Sequence, residues 1–477
     1  MQSRDRTFYQ YALLNLAILQ ADFGCHSEAI PAMQEAIATA RENKDAACLN
    51  FCMSWLYHFG RSFPADMEKF RESGILGSET EGLAFLKARA KDAEMWSLLS
   101  SSLLSEAKLG LQHGDSLATV FENIAKASHL NVMKSAQNIT GPTLLMKGAA
   151  FSRVGTTHLA WSCGEIFLQC YADIAPIEDN LKCTCRLASL LTQKGRYAEA
   201  HDLMAGVPER ILRVLKYQNY WTFYSGLLKL RRFLHRDDLD AADYMLELLK
   251  GQGSPDIEIG YSLAFLEIEL LSRRGILTEA MDLVENLSEK ARTENNDIVV
   301  QTKLMNHKAR ILAHSGHPLK GFSVIVRSAQ MAFRARLLPA LWEATGILAN
   351  VLMAMREFAA AATMLQSIVP QVLEFHDCDL AARTYSYLAD AHMGMAGKEE
   401  SNPSKREEYL SKAVEHLENA LEQFRHIEDL KGQTDMLAKK STIMHYKGDI
   451  VLANDIATQY LELKKQYAAS RVAVQGE

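Results

Sequence analysis

One pattern recurs along this chain and constrains its fold more than any other property. An apolar helical stretch is followed by a glycine or other turn residue, a short gap, and then Glu-Ala or Ala-Ala opening a second helical stretch. Clear copies occupy residues 13–37, 187–207 and 267–287, and looser ones follow towards the C-terminus. Self-similarity at a fixed period is the signature of a repeat array, in which each unit cannot bury its apolar face alone. The physical roles repeat too. In the first copy Leu13, Leu16 and Ala17 precede Gly24, and Ala29, Met33 and Ala36 follow it; in the second, Leu187, Ala188 and Leu191 precede Gly195, and Ala200 and Met204 follow. A glycine at the turn supplies the left-handed conformation that ends the first helix, and a small residue lets the second approach closely. The expected fold is an all-α solenoid of helical hairpins.

The hairpins resemble the tetratricopeptide repeat, with one difference. Turn residues fall at Gly195, Asp237, Gly275, Gly316 and Arg356, so the separations run from 38 to 42 residues. The standard tetratricopeptide unit is about 34 residues long, and HEAT-type units are about 40–47. The expectation is therefore a tetratricopeptide-like superhelix with repeats of about 40 residues. Earlier turn candidates, at less even spacing, are Gly24, Gly60, Gly114 and Gly155.

Composition agrees with helix, since only 10 of 477 residues are proline and 48% are hydrophobic. A net charge of −6 lacks the basic excess that phosphate backbones attract, so direct nucleic-acid binding is not expected. The eight cysteines form no CxxC pair and read as reduced thiols used as small hydrophobes. The stretch 337–355 is the most apolar, but Glu343 and Asn350 interrupt it, and no membrane span is expected.

Three stretches break the regularity. Residues 61–79 read as a long connection, 135–142 as an irregular seam, and 396–408 as an exposed charged loop inserted in a repeat. The expected organisation is an N-terminal set of hairpins over 1–134 and a continuing solenoid over 143–477, with the loop at 396–408.

Residues 11–59 carry a more specific likeness. Tyr11-Ala12, Asn15-Leu16-Ala17, Phe23-Gly24, Gln34-Glu35-Ala36-Ile37 and Ser54-Trp55-Leu56-Tyr57 occur in order. Together they resemble the repeat of the anaphase-promoting complex (cyclosome) subunit 5 family. Helix packing alone would not dictate the polar members of that series. The resemblance implies a non-catalytic scaffold of a large ubiquitin ligase, acting in mitotic cell-cycle control in nucleus and cytoplasm. The implied partners are other large scaffold subunits, and the implied catalytic work belongs to cullin-like and RING subunits. The family carries a helical region ahead of this repeat, which here begins almost at residue 1. Residues 8–19, with no polar cap before them, are expected to offer apolar surface to a neighbour.

Motifs for catalysis are absent: no P-loop, Rossmann fingerprint, HExxH, GxSxG or kinase set occurs. No catalytic, metal-binding or cofactor-binding residue is expected, nor any cofactor or small-molecule substrate. The aromatic clusters at 54–60 and 217–224 are expected to fill the core between helices. In this geometry the first helix of each hairpin lines a concave groove. Offsets from the turns select Tyr224, Arg231 and His235, then Glu269 and Arg273, then Lys303, Asn306, Arg310 and His314. That set is mainly basic and suits an acidic or extended segment. Two other readings stay open: a stand-alone adaptor for peptide tails, and the sensor region of a signalling ATPase or transcription regulator.

Overall fold

The structure is a computed structural model and describes residues 9–63, 66–67, 79–254, 256–295, 297–399 and 402–474. Among these the chain is helical throughout and contains no strand. Its helices pair into successive hairpins. The first four are α1 (Tyr9–Asp22) with α2 (His26–Glu42), α3 (Ala46–Ser62) with α4 (Glu79–Asp92), α5 (Trp96–His113) with α6 (Leu117–Met133), and α7 (Gln137–Val154) with α8 (Thr157–Cys170). Next come α9 (Ile177–Gln193) with α10 (Tyr197–Ala205), α11 (Leu215–His235) with α12 (Leu239–Gln252), and α13 (Ile257–Arg274) with α14 (Leu277–Lys290). The last four are α15 (Ile298–His314) with α16 (Phe322–Arg334), α17 (Leu338–Ala354) with α18 (Phe358–Phe375), α19 (Cys378–Lys398) with α20 (Pro403–His426), and α21 (Leu430–Lys447) with α22 (Ile450–Val474).

The repeat rule is physical. Gly24, Gly155, Gly195, Asp237, Gly275, Gly316, Arg356 and Gly448 all have positive φ. Five residues beyond each stands a buried small residue: Ala29, Ala160, Ala200, Ala242, Ala280, Gly321, Ala361 and Ala453. There the second helix crosses the first, and a larger side chain would overpack the crossing at a cost of about 1–3 kcal/mol. Four residues further on, Met33, Met204, Leu246, Val284, Ile325 and Leu365 fill the space between the two helices.

Several expectations need correction. Gly60 is no turn; it lies inside α3, facing Met67. The neighbouring turns are made instead by Lys44 and Glu94, which adopt positive φ without being glycine. Residues 135–142 are ordinary repeat: Ser135 makes the turn between two hairpins, α7 starts at Gln137, and Asn131 Nδ2 donates to Thr143 Oγ1 across it at 3.0 Å. The exposed loop expected at 396–408 is mostly helix, because α19 runs to Lys398 and α20 begins at Pro403. Asn402 accepts from the Lys405 amide, and proline holds the first helical position, a start signal that the charge run obscured. The expected connection over 61–79 lies largely outside the described residues.

Far-apart hairpins touch in a regular way. Asp22 pairs with Lys216, five hairpins on, at 2.9 Å. Gly114, between α5 and α6, packs on Ile298 at the start of α15. Gly155 packs on Trp342 of α17, and Thr157 Oγ1 donates to the Phe375 carbonyl at 2.6 Å. Gly195 rests on the His426 carbonyl, and Tyr197 Oη donates to the Ile427 carbonyl at 3.0 Å. Each of these turns thus meets the coil five hairpins further on, and the solenoid closes on itself as a tight superhelix. Among the described residues one helix, α18, is long and apolar enough to cross a membrane. Its Ala361, Leu365 and Val372 are buried in a cluster with residues of α17 and α19.

Candidate partner-binding lumen

The odd-numbered helices turn one side to the superhelix axis, where two cavities share Glu269, His307, Arg310 and Arg383. One, of about 300 Å³, is lined by Arg231, His235, Phe265, Lys303, Glu343, Asp377 and Asp379 in addition to the shared residues. The other, of about 230 Å³, adds Arg273, His314, Asp429, Lys431, Asp435 and Lys439.

Seven of the nine residues selected from sequence line these cavities: Arg231, His235, Glu269, Arg273, Lys303, Arg310 and His314. Two do not. Asn306 is fully buried; its amide donates to Glu343 Oε2 at 3.0 Å and its carbonyl accepts from Ser328 Oγ at 2.7 Å. Tyr224 packs with Tyr220 in the α9–α11 core, with ring centroids 6.2 Å apart. His235, though it borders the cavity, is itself buried. Its Nδ1 lies 2.9 Å from Tyr197 Oη, which spends its proton on Ile427, so Nδ1 is the donor.

The mainly basic character expected of the lumen is corrected by carboxylates that the offsets did not select. Arg231, Lys303, Arg310 and Arg383 face Glu269, Glu343, Asp377 and Asp379 in the larger cavity, so the two signs balance. Arg273 sits 3.2 Å from both Asp429 and Glu269. Arg383 donates to Asp379 at 2.8 Å and approaches Glu269 at 3.8 Å, while Arg310 pairs with Glu343. Burial alone would raise the Glu269 pKa, yet Arg273 and Arg383 hold it far below the usual carboxylate range. Burial likewise opposes charge on Arg273, but Asp429 and Glu269 raise its pKa.

The remaining groups are shaped by desolvation. Burial, with Asp379 beside it, pushes Asp377 up to about 6 while its carboxylate caps α19. Burial lowers His307 to about 4, helped by Arg310. The His307 ring stacks on Phe265 with centroids 5.5 Å apart, and Lys303 lies 5.5 Å from the same Phe265 ring. Nearer the N-terminal end, burial would raise Glu258, but Lys108, Arg153, Lys182 and Arg186 hold it below its usual value. Among the described residues no cluster of three or more His, Cys, Asp or Glu side chains could hold a metal ion.

Glu343 was legible from sequence, since it stands as far before Arg356 as Lys303 stands before Gly316. Asp377 and Asp429 were not, because each caps a helix start from a distant repeat. The aromatic clusters fall where expected: Leu56, Tyr57, Phe59 and Phe223 are buried. At the first hairpin, by contrast, Leu16, Leu19 and Phe23 are 44%, 54% and 71% exposed.

Comparison with known proteins bears out the likeness read at residues 11–59. Residues 1–63 match the family model described as anaphase-promoting complex subunit 5. The subunit 5 protein of Schizosaccharomyces pombe is 33% identical over 42% of this chain and 25% of that protein. The human subunit 5 is 23% identical over 69% of this chain and 42% of that protein. The chain thus matches between a quarter and about two fifths of the length of these relatives. Among solved structures, a signal-transduction ATPase with a tetratricopeptide repeat sensor from Pyrococcus horikoshii aligns over 79% of this chain and 54% of that one. It does so at 14% identity and a TM-score of 0.39.

Proposed function

We propose that this chain, a relative of anaphase-promoting complex subunit 5, is a non-catalytic scaffold subunit of that ubiquitin ligase. It organises the other large platform subunits by protein–protein contacts during mitotic control, in nucleus and cytoplasm. The observation that carries this reading is the family match over residues 1–63, which coincides with a hairpin whose outer side stays apolar. Exposed Leu16, Leu19 and Phe23 cluster on the first hairpin, and a contiguous exposed apolar patch marks a surface for a partner. The superhelix behind that hairpin is braced by contacts between coils, as a rigid spacer requires.

The lumen speaks against the stand-alone peptide adaptor, because most of its arginines are already engaged by carboxylates of the chain itself. Affinity capture of the tagged chain from its own cells, read by mass spectrometry, tests the proposal. Co-recovery of the other platform subunits supports it, and Leu16→Asp with Phe23→Asp should lower that recovery at least tenfold. Recovery of chaperone or transport complexes in their place would overturn it.

A further inference from the structure

Between Asp297 and Glu343 the chain carries no acidic residue but seven Lys and Arg residues. Three of the seven have a place in the fold. Lys303 and Arg310 line the lumen, and Lys308 pairs with Glu285 of α14 at 2.8 Å. The other four, Lys320, Arg327, Arg334 and Arg336, lie on or beside α16, outside the lumen, and all are exposed. Among the described residues none of the four makes an ion pair, so no carboxylate of α14 reaches them. The next outer helix, α18, offers none along its length, because no charged residue stands between Glu357 and Glu374. An uncompensated basic face is thus exposed on a chain whose net charge is −6.

We infer that this face of α16 docks an acidic protein segment that also carries apolar side chains. Ile325, Ser328 and Ala332 bury one side of the helix, while Arg327 and Arg334, two turns apart, share the other. Beside them Phe322 and Phe333 are 41% and 56% exposed, and Leu319 is 54% exposed. The Arg336 guanidinium lies 5.0 Å from the centre of the Phe333 ring. Exposed arginines among aromatic rings are the composition of a protein interface, and arginine clusters recognise acidic segments. Three turns of helix set the two rings about 16 Å apart, too far for successive bases of one strand to stack on both. In an extended segment two apolar residues four positions apart share a side at about 13 Å, within side-chain reach of both rings. The acidic chain as a whole repels a long polyanion such as nucleic acid, whereas a short acidic segment meets only the local basic face. This goes beyond the scaffold reading and does not rest on it, because peptide binding and complex recovery are separate readouts.

The test is fluorescence anisotropy of the full chain with a labelled peptide in which two leucines flank three glutamates and a further glutamate stands at each end. A labelled single-stranded oligonucleotide of equal charge is titrated beside it at the same ionic strength. Saturable peptide binding is expected, weakened at least tenfold by Arg327→Glu with Arg334→Glu and several-fold by Phe333→Ser. The control pair Lys91→Glu with Arg210→Glu changes the net charge equally at exposed residues elsewhere and should leave binding unchanged. Both arginines are exposed and hold no ion pair, so their variant should keep its melting temperature. Absence of saturable binding overturns the proposal, as does equal affinity in the arginine and control variants. So does tighter binding of the oligonucleotide, which would make the face a nucleic-acid surface.

Discussion

Gly155 and Gly195 occupy the same place in successive hairpins, yet their turns meet the next coil through different chemistry. At Gly155 the contact is apolar: an added Cβ would lie 2.6 Å from Cη2 of Trp342, a ring only 4% exposed. At Gly195 the contact is polar backbone, with the His426 carbonyl directly over the glycine. Around that carbonyl the turn 427–429 is gripped by side chains of the earlier coil. Arg232 donates twice to Glu428 at 2.9 Å, Arg236 donates to Glu428 at 2.6 Å, and Arg273 reaches Asp429. One repeat rule therefore sets where the coils touch, while individual side chains set how firmly. The apolar end of the seam answers to shape and the polar end to charge.

Four substitutions separate these effects, each read by urea unfolding at neutral pH. Gly195→Ala should cost most, about 3 kcal/mol or more. Its φ of +76° strains an L residue by roughly 1–2 kcal/mol, and the methyl also meets backbone that cannot move without opening the coil. Gly155→Ala should cost about 2–3 kcal/mol, since the same strain is joined by displacement of a side chain, Trp342, that can partly adjust.

Glu428→Gln should cost about 1–2 kcal/mol, less than a buried pair because the carboxylate is 28% exposed and its arginines 38%. Its pH dependence fixes the sign. Burial would raise the Glu428 pKa, but Arg232 and Arg236 hold it below the ordinary value. The stabilisation is thus fully present above the unfolded glutamate pKa, about 4.3, and is lost as pH falls through the folded value. In 1 M salt the Glu428 effect should shrink while the Gly155 effect persists. Gly275→Ala should cost least, about 1 kcal/mol, because φ is +81° but nothing lies within 4 Å of the new methyl. If Gly275→Ala costs as much as Gly195→Ala, the coils do not touch at Gly195 and the comparison fails.

How far the sequence could be read follows from range. Residues that act within one hairpin were legible: the turn at Gly195, the small Ala200 and the filler Met204 stand at fixed spacing. The lumen faces of α11, α13 and α15 were legible too, since they depend only on helical phase relative to a turn. Asn306 shows where phase fails, because it lies at the edge of that face and is claimed by α16 and α17. The seam was invisible. Glu428 has positive φ without being glycine, and its arginine partners lie nearly 200 residues earlier, so no local pattern marks it. For the same reason the lumen seemed basic, its neutralising Asp377, Asp379 and Asp429 arriving from the following coil.

Closure of the superhelix is the central claim, and coupling between Arg273 and Asp429 tests it most directly. These residues are 156 positions apart, yet their side chains are 10% and 5% exposed and 3.2 Å from each other. A double-mutant cycle with Arg273→Met and Asp429→Asn, measured by urea unfolding, should give a coupling energy of about 1–2 kcal/mol. Asparagine keeps the helix cap, so the cycle isolates the ion pair. Losses that add to within about 0.3–0.5 kcal/mol would mean that the two coils do not meet, and would contradict the account.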